Sequence, residues 1–234
     1  MIENPSWYFD EFNQVGIDYS RIEEVEAYDA RYAKFRNVVD ENNAILDALK
    51  VQPDHILIEI GTGTGAFAIQ AACRCKKVIA IDISLAMLAF AKKKAADAGI
   101  RNISFSHGGF LTYEHTDVLV DGIVTSTALH HLPDFWKAIA LRRLNKMLKP
   151  GGQLFISDVV FKDDDPLRNI AIWLGNLEKV ADSQFRQEAE MHIREEFSTL
   201  DWIMDGLLDR SGFKIVSKKI SEGVMAKYLC IKES

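Results

Sequence analysis

His55-Ile-Leu-Ile-Glu59-Ile60-Gly61-Thr62-Gly63-Thr64-Gly65-Ala66-Phe67 is the stretch that decides the fold. An apolar run, His55–Ile60, enters a turn with glycine at every second position and leaves it as a helical pattern over Gly65–Cys73. Glycines in such a turn let the chain bend sharply and bring bare backbone against a ligand. A second apolar run, Val78–Asp82, ends in a carboxylate 19 residues after Gly63. A carboxylate there is placed to accept hydrogen bonds from two ribose hydroxyls. A nucleoside-containing ligand is therefore expected across the carboxyl ends of the first two strands of a parallel sheet.

Working outward, short apolar strands alternate with helices. Ser84–Ala98 reads as a helix, with Ser84 its N-cap and Gly99 the residue after its end. Asn102–Ser106 and Gly122–Ser126 read as strands, Pro133–Leu148 as a helix and Gln153–Phe161 as a strand. In that helix Trp136, Ile139, Ala140, Leu144, Met147 and Leu148 share one face. Beyond a polar loop at Lys162–Pro166, residues 167–195 read as amphipathic helix and Ser198–Arg210 as another. Phe213–Ile220 and Val224–Lys232, joined at Ser221-Glu222-Gly223, read as a hairpin. The alternation predicts a doubly wound α/β sheet with helices on both faces, and the hairpin makes it mixed.

Two cofactors fit the glycine turn. Gly61-x-Gly63-x-x-Ala66 satisfies a dinucleotide fingerprint, which would make the chain an NAD-dependent oxidoreductase. Glu59 inside the first strand argues the other way, because a carboxylate there suits a ligand carrying an ammonium group. The third glycine, Gly65, also departs from that fingerprint.

Taken together, Glu59–Gly65, Asp82, Asp121-Gly-Ile-Val-Thr-Ser-Thr-Ala-Leu-His-His-Leu132 and Leu148-Lys-Pro-Gly-Gly152 resemble class I S-adenosylmethionine-dependent methyltransferases. Within that class the chain is similar to the small-molecule branch that includes quinone-biosynthesis enzymes. The resemblance spans roughly residues 30–232. It implies a Rossmann-like seven-stranded sheet of order 3-2-1-4-5-7-6 with strand 7 antiparallel, in agreement with the hairpin. It also implies roles. Gly61, Thr62, Gly63 and Gly65 would pass under the methionine part of the cofactor, with Glu59 supporting that end. Asp82 would bind the ribose, Ile83 and Met87 would pack on adenine, and Phe110 would flank its other face. The family often carries Asp where Gly109 stands, to hold the adenine amine, so that contact would pass to a backbone group or water. Thr125, at the end of the fourth strand, would lie next to the methyl position.

Other chemistries lack their residues. Thr125 and Ser126 offer no carboxylate to hold a divalent ion, and Asp158 is a single candidate ligand at best, so no catalytic metal is expected. The Asn/Asp-Pro-Pro-aromatic signature of nucleic-acid amino-methyltransferases is missing, as is a Pro-Cys nucleophile. Cys73 and Cys75 form C-x-C without a second Cys/His pair to complete a metal site. His130 and His131 are the general-base candidates, His130 first, should the acceptor have to lose a proton. Among the N-terminal aromatics, Tyr19 and Tyr28 are the choices for walling an acceptor pocket, and Asp158 is a third pocket candidate.

Composition limits the partners. Residues 1–54 hold 5 Lys and Arg against 12 Asp and Glu, a net −7, whereas residues 55–234 hold 23 against 22, a net +1. The acidic quarter reads as helical, Tyr19–Tyr32 and Phe35–Leu49, with Val38, Val39, Asn42, Ile45, Leu46 and Leu49 at helical spacing. It is expected to be an N-terminal addition, 1–54, that lids a core of 55–234. An acidic cover disfavours polynucleotides, whose binding depends on Lys and Arg. No apolar run approaches the ~18–20 residues of a membrane span. The N-terminus does not read as a secretory signal, and three cysteines suit a reducing cytoplasm. The expectation is thus methyl transfer from S-adenosylmethionine to a small, neutral or cationic acceptor. The alternatives are the oxidoreductase above and a non-catalytic cofactor-binding module.

Overall fold

The structure, a computed structural model, describes residues 5–13, 15–16, 25, 29, 36–180 and 183–233. Tyr19, Tyr28 and most of the expected Tyr19–Tyr32 helix lie outside the described residues. Helix α1 (Val38–Ala48) leads into β1 (Ile56–Ile60), α2 (Ala66–Ala72), β2 (Lys77–Asp82), α3 (Leu85–Asp97), β3 (Ile103–His107) and β4 (Val120–Ser126). A 3-10 turn at Leu129–His131 precedes α4 (Asp134–Met147) and β5 (Leu148–Phe161). Then come α5 (Pro166–Val180), α6 (Ser183–Glu195), the two-residue β6 (Thr199–Leu200), α7 (Asp201–Asp209), β7 (Phe213–Ser221) and β8 (Met225–Lys232).

The strands form one mixed sheet in the order β3-β2-β1-β4-β5-β8-β7, with β6 paired to β5 off that path. β8 runs antiparallel to both neighbours, and the β1–β5 pairs are parallel. Apart from β6 this is the expected order. The hairpin turn places Glu222 at φ 52° and Gly223 at φ 72°, two left-handed residues that match the twist of the strands they join.

β1 and β2 are buried on both faces. Along β1, Ile58 and Ile60 point into a core shared with Ala140, Leu141 and Leu144 of α4 and Met204 and Leu208 of α7. Leu57 points the other way, into a core with Ile45 and Leu46 of α1 and Phe67, Ala68 and Ala71 of α2. Glu59 falls on this second face. Because α1 contributes Ile45 and Leu46 to the same core as the sheet, and Leu49 at its end joins them, the acidic segment is welded to the domain at its C-terminal end.

Local chemistry fixes several boundaries. The Ser84 side chain accepts from Met87 N at 3.1 Å and caps α3, and Gly99 follows that helix at φ +71°. Three expectations need correction. Val39 is exposed, so it is not part of the α1 core stripe. The helix expected from Ser198 begins at Asp201, because Thr199 and Leu200 are extended and pair with Val160 and Phe161. β5 begins at Leu148, which pairs with Val120 before an irregularity opposite Gly122.

Candidate active site

The glycine turn is stitched to the end of β2. Gly61 N and Thr62 N both donate to Ile81 O, at 2.9 and 3.0 Å. Gly63 N donates to Asp82 Oδ2 at 2.7 Å, and Ser84 N to Asp82 Oδ1 at 2.8 Å. One carboxylate thus ties the turn to the start of α3, while each oxygen keeps acceptor capacity. Burial pushes the Asp82 carboxyl above its ordinary value, against the amides that hold it down. Gly61 sits at φ +77°, and a Cβ there would lie 2.5 Å from the Ala128 Cβ, so this residue must be glycine on two counts. A Cβ on Gly63, φ +53°, would meet nothing within 4 Å, which shows that the turn faces open space.

That space has two halves. One cleft is lined by Gly61, Gly63, Asp82, Ile83, Met87, Gly109 and Phe110, together with Glu11, Ser126, Thr127, Ala128 and His131. The other is lined by Glu59, Thr62, Thr64, Asn42, Phe67, Ser157, Arg36 and Lys227, among others. Gly61, Gly63, Ser126 and Thr127 border both, so the halves meet at the glycine turn. Glu59 is buried, accepts from Thr62 Oγ1 at 2.5 Å, and is pushed up to about 8 by burial, an effect the Thr62 bond only partly offsets.

Most of the sequence-derived cofactor residues therefore converge. Gly65 stands behind the turn as the N-cap of α2, packed on Ala91 of α3. Thr125 is fully buried and lines neither cleft, and its Oγ1 has no hydrogen-bond partner among the described residues. The cleft also contains Glu11, which no sequence signal singled out.

Beside the first cleft lies a network of imidazoles and carboxylates. His130 Nδ1 meets Asp158 Oδ1 at 2.5 Å, and His130 Nε2 lies 3.0 Å from Glu196 Oε2. His192 Nδ1 is 2.7 Å from the same Glu196 oxygen. Asp158 is fixed in turn by the amides of Leu129, His130 and Val159. Glu196 arrives because the segment after α6 is pinned to the 3-10 turn. Phe197 N donates to His130 O at 2.9 Å, and the buried Lys137 donates to Phe197 O.

The two histidines differ. Burial alone would lower His130, but Asp158 and Glu196 outweigh it and push it up to about 9. Burial, and then the charge on His130, push His131 down to about 4. His131 lines the cleft; His130 and Asp158 lie beneath it. Among the described residues, donor atoms of His130, His192 and Glu196 lie within 4.8 Å of one another, the spacing of a possible metal site. Both His130 nitrogens already face carboxylates, so the arrangement works as an ion-pair network. No helix among the described residues is long and apolar enough to cross a membrane.

Comparison with known proteins agrees with this geometry. A family model described as a methyltransferase domain matches residues 57–152. An uncharacterized methyltransferase of Geobacillus kaustophilus is 30% identical over 206 residues, covering 88% of each chain. Among solved structures, the N-methyltransferase NodS from Bradyrhizobium japonicum, in complex with S-adenosyl-L-homocysteine, superposes with TM-score 0.65 at 18% identity, covering 91% of this chain and 97% of that one. The cyclase SpnF superposes with TM-score 0.66 at 16% identity, covering 83% and 80%. The glycine turn clamped by Asp82, the sheet order and these relatives together place the chain in the class I S-adenosylmethionine-dependent methyltransferase family.

Proposed function

We propose that this protein transfers the methyl group of S-adenosylmethionine to a small-molecule acceptor by in-line displacement. The observation that carries the reading is the Asp82 clamp, in which a single buried carboxylate joins the glycine turn to α3 and still has lone pairs free toward the cleft. The bound cofactor supplies a methyl group made electrophilic by a positively charged sulfur. The task left to the chain is alignment at near-attack distance, which can contribute ~7–11 kcal/mol.

In this reading Asp82 binds the ribose hydroxyls, and Ile83, Met87 and Phe110 hold the base in an apolar slot. Gly61 and Gly63 let the sulfur-bearing chain pass close to the backbone. Glu59 receives the ammonium end in the second half, where a nearby cation favours its ionised form. His131, neutral above pH of about 4 and bordering the cleft, is placed to accept a hydrogen bond from the acceptor's reacting group. This inverts the order expected from sequence, since His130 serves to hold its neighbour neutral. Glu59 also favours this reading over the dinucleotide alternative, because its carboxyl can ionise to pair with an ammonium group and NAD carries none. The fold by itself does not fix the reaction, as its occurrence in a cyclase illustrates.

Calorimetric titration tests the reading. S-adenosylhomocysteine is expected to bind, NAD is not, and Asp82→Ala is expected to weaken binding by about 1–3 kcal/mol. Binding of NAD in preference, or an unchanged affinity in Asp82→Ala, would sink it. S-adenosylhomocysteine released in the presence of an acceptor pool then identifies the acceptor.

A further inference from the structure

Glu11 is buried in a cleft built otherwise from residues between Ile60 and Leu132. Its Oε1 accepts from Leu111 N at 3.0 Å, Thr112 N at 2.7 Å and Thr112 Oγ1 at 2.6 Å. Among the described residues its Oε2 has only a shared contact to Leu111 N, at 3.1 Å. The carboxylate is therefore held rigidly by one oxygen, while the other keeps lone pairs to offer. The segment carrying it is anchored on both sides. Tyr8 packs edge-on against Trp136 at 4.8 Å, and Phe12 packs on His107 at 5.0 Å.

The position of that second oxygen is specific. A Cβ built on Gly109 would lie 2.6 Å from Glu11 Oε2 and 2.8 Å from its Cδ. Within an aspartate, the Cβ-to-carboxylate-oxygen distance is about 2.4 Å from standard bond lengths. Glu11 Oε2 thus stands about as far from that Cβ as the carboxylate oxygen of an aspartate at position 109 would. The surrounding wall is apolar, with Ile83, Met87 and Phe110, and Asp82 lies at the ribose end. A flat base in such a slot meets an acceptor-only group at its edge. That group favours a ring bearing an amine over one bearing a carbonyl.

We propose that Glu11 is the residue that reads the exocyclic amine of the cofactor's purine, supplied from the N-terminal segment in place of a side chain at Gly109. The assignment rests on the cofactor reading above. It makes residues 5–13 part of the cofactor site and Glu11 a determinant of base specificity.

The experiment measures the affinities of S-adenosylhomocysteine and of its 6-oxo analogue, S-inosylhomocysteine, by calorimetry, and takes their ratio. The wild-type protein is expected to prefer the amine. Glu11→Gln, which keeps an oxygen for the Leu111 and Thr112 amides and adds a donor, is expected to cut that preference about 10- to 100-fold. Gly109→Asp in the wild-type background sets two carboxylates in contact and is expected to weaken S-adenosylhomocysteine binding. Combined with Glu11→Ala, the same substitution is expected to restore the preference lost in Glu11→Ala alone, once the Ile83 methyl, 2.9 Å from the new Cβ, moves aside. A residue that merely staples the loop would not produce this reversal of sign. An unchanged ratio in a folded Glu11→Gln protein would overturn the assignment. A wild-type protein that binds neither nucleoside would overturn the cofactor reading itself.

Discussion

His130 and His131 are adjacent in sequence and opposite in chemistry. Asp158 and Glu196 flank His130 and keep it protonated, and that charge, together with burial, keeps His131 neutral. The expected observation is a pair of imidazole resonances that titrate far apart by NMR, His131 near pH 4 and His130 near pH 9. Glu196→Gln should lower the His130 midpoint, because one of its two anionic neighbours becomes neutral. Two midpoints near the ordinary 6.5 would contradict the network. The sequence carries the two-histidine motif but not the distinction, which depends on a 3-10 turn that aims one ring at Asp158 and leaves the other at the cleft. Glu11 and Glu196 were illegible for a similar reason. One follows Asp10 among aromatics and the other stands just past the end of an amphipathic helix, and long-range contacts alone give them a role. The place of Asp82 could be read because it lies in local order: strand end, carboxylate, helix cap.

At the scale of elements, the glycine turn separates two effects that usually occur together. Gly61 and Gly99 have similar backbone angles, φ +77° and +71°. A Cβ on Gly99 would enter open space, whereas one on Gly61 would collide with Ala128. Gly99→Ala is therefore expected to cost only the left-handed conformation, about 1–2 kcal/mol. Gly61→Ala should cost more in a urea titration and should also impair cofactor binding by displacing the Thr127–Ala128 backbone. Equal costs would mean that the close approach is soft. Strand and helix interiors were legible because burial on both faces writes apolar runs into β1 and β2, and amphipathic spacing into α4. Two boundaries were not. Thr199-Leu200 has the composition of a helix start, and only the exposed edge of β5 makes it a strand.

For the molecule as a whole, the buried charges dictate how stability varies with pH. Glu59 rises from its ordinary 4.5 to about 8 on folding, so between these values the folded chain holds a proton that the unfolded chain lacks. His130 does the same between 6.5 and about 9. Both make stability fall as pH rises, each by at most ~1.4 kcal/mol per pH unit. The melting temperature is expected to decline from pH 6.5 to 9. Glu59→Gln should shallow that decline below pH 8, since the group that must ionise in the core is gone. A flat profile from pH 6.5 to 9, or an identical slope in the variant, would contradict this. The overall architecture was the most legible level of all, because strand–helix alternation followed by a hairpin admits few topologies.

The place of β8 bears on how the chain is made. It lies between β5 and β7, yet it follows both in sequence. During synthesis β7 emerges with no parallel or antiparallel partner waiting for it, and β5 keeps one open edge. The sheet becomes continuous only when Met225–Lys232 has left the ribosome and slid into the gap. A nascent chain arrested before residue 225 thus carries a complete glycine turn and Asp82 clamp on an unfinished sheet. A ligand that binds at the glycine turn would then meet that turn before the sheet that supports it has closed.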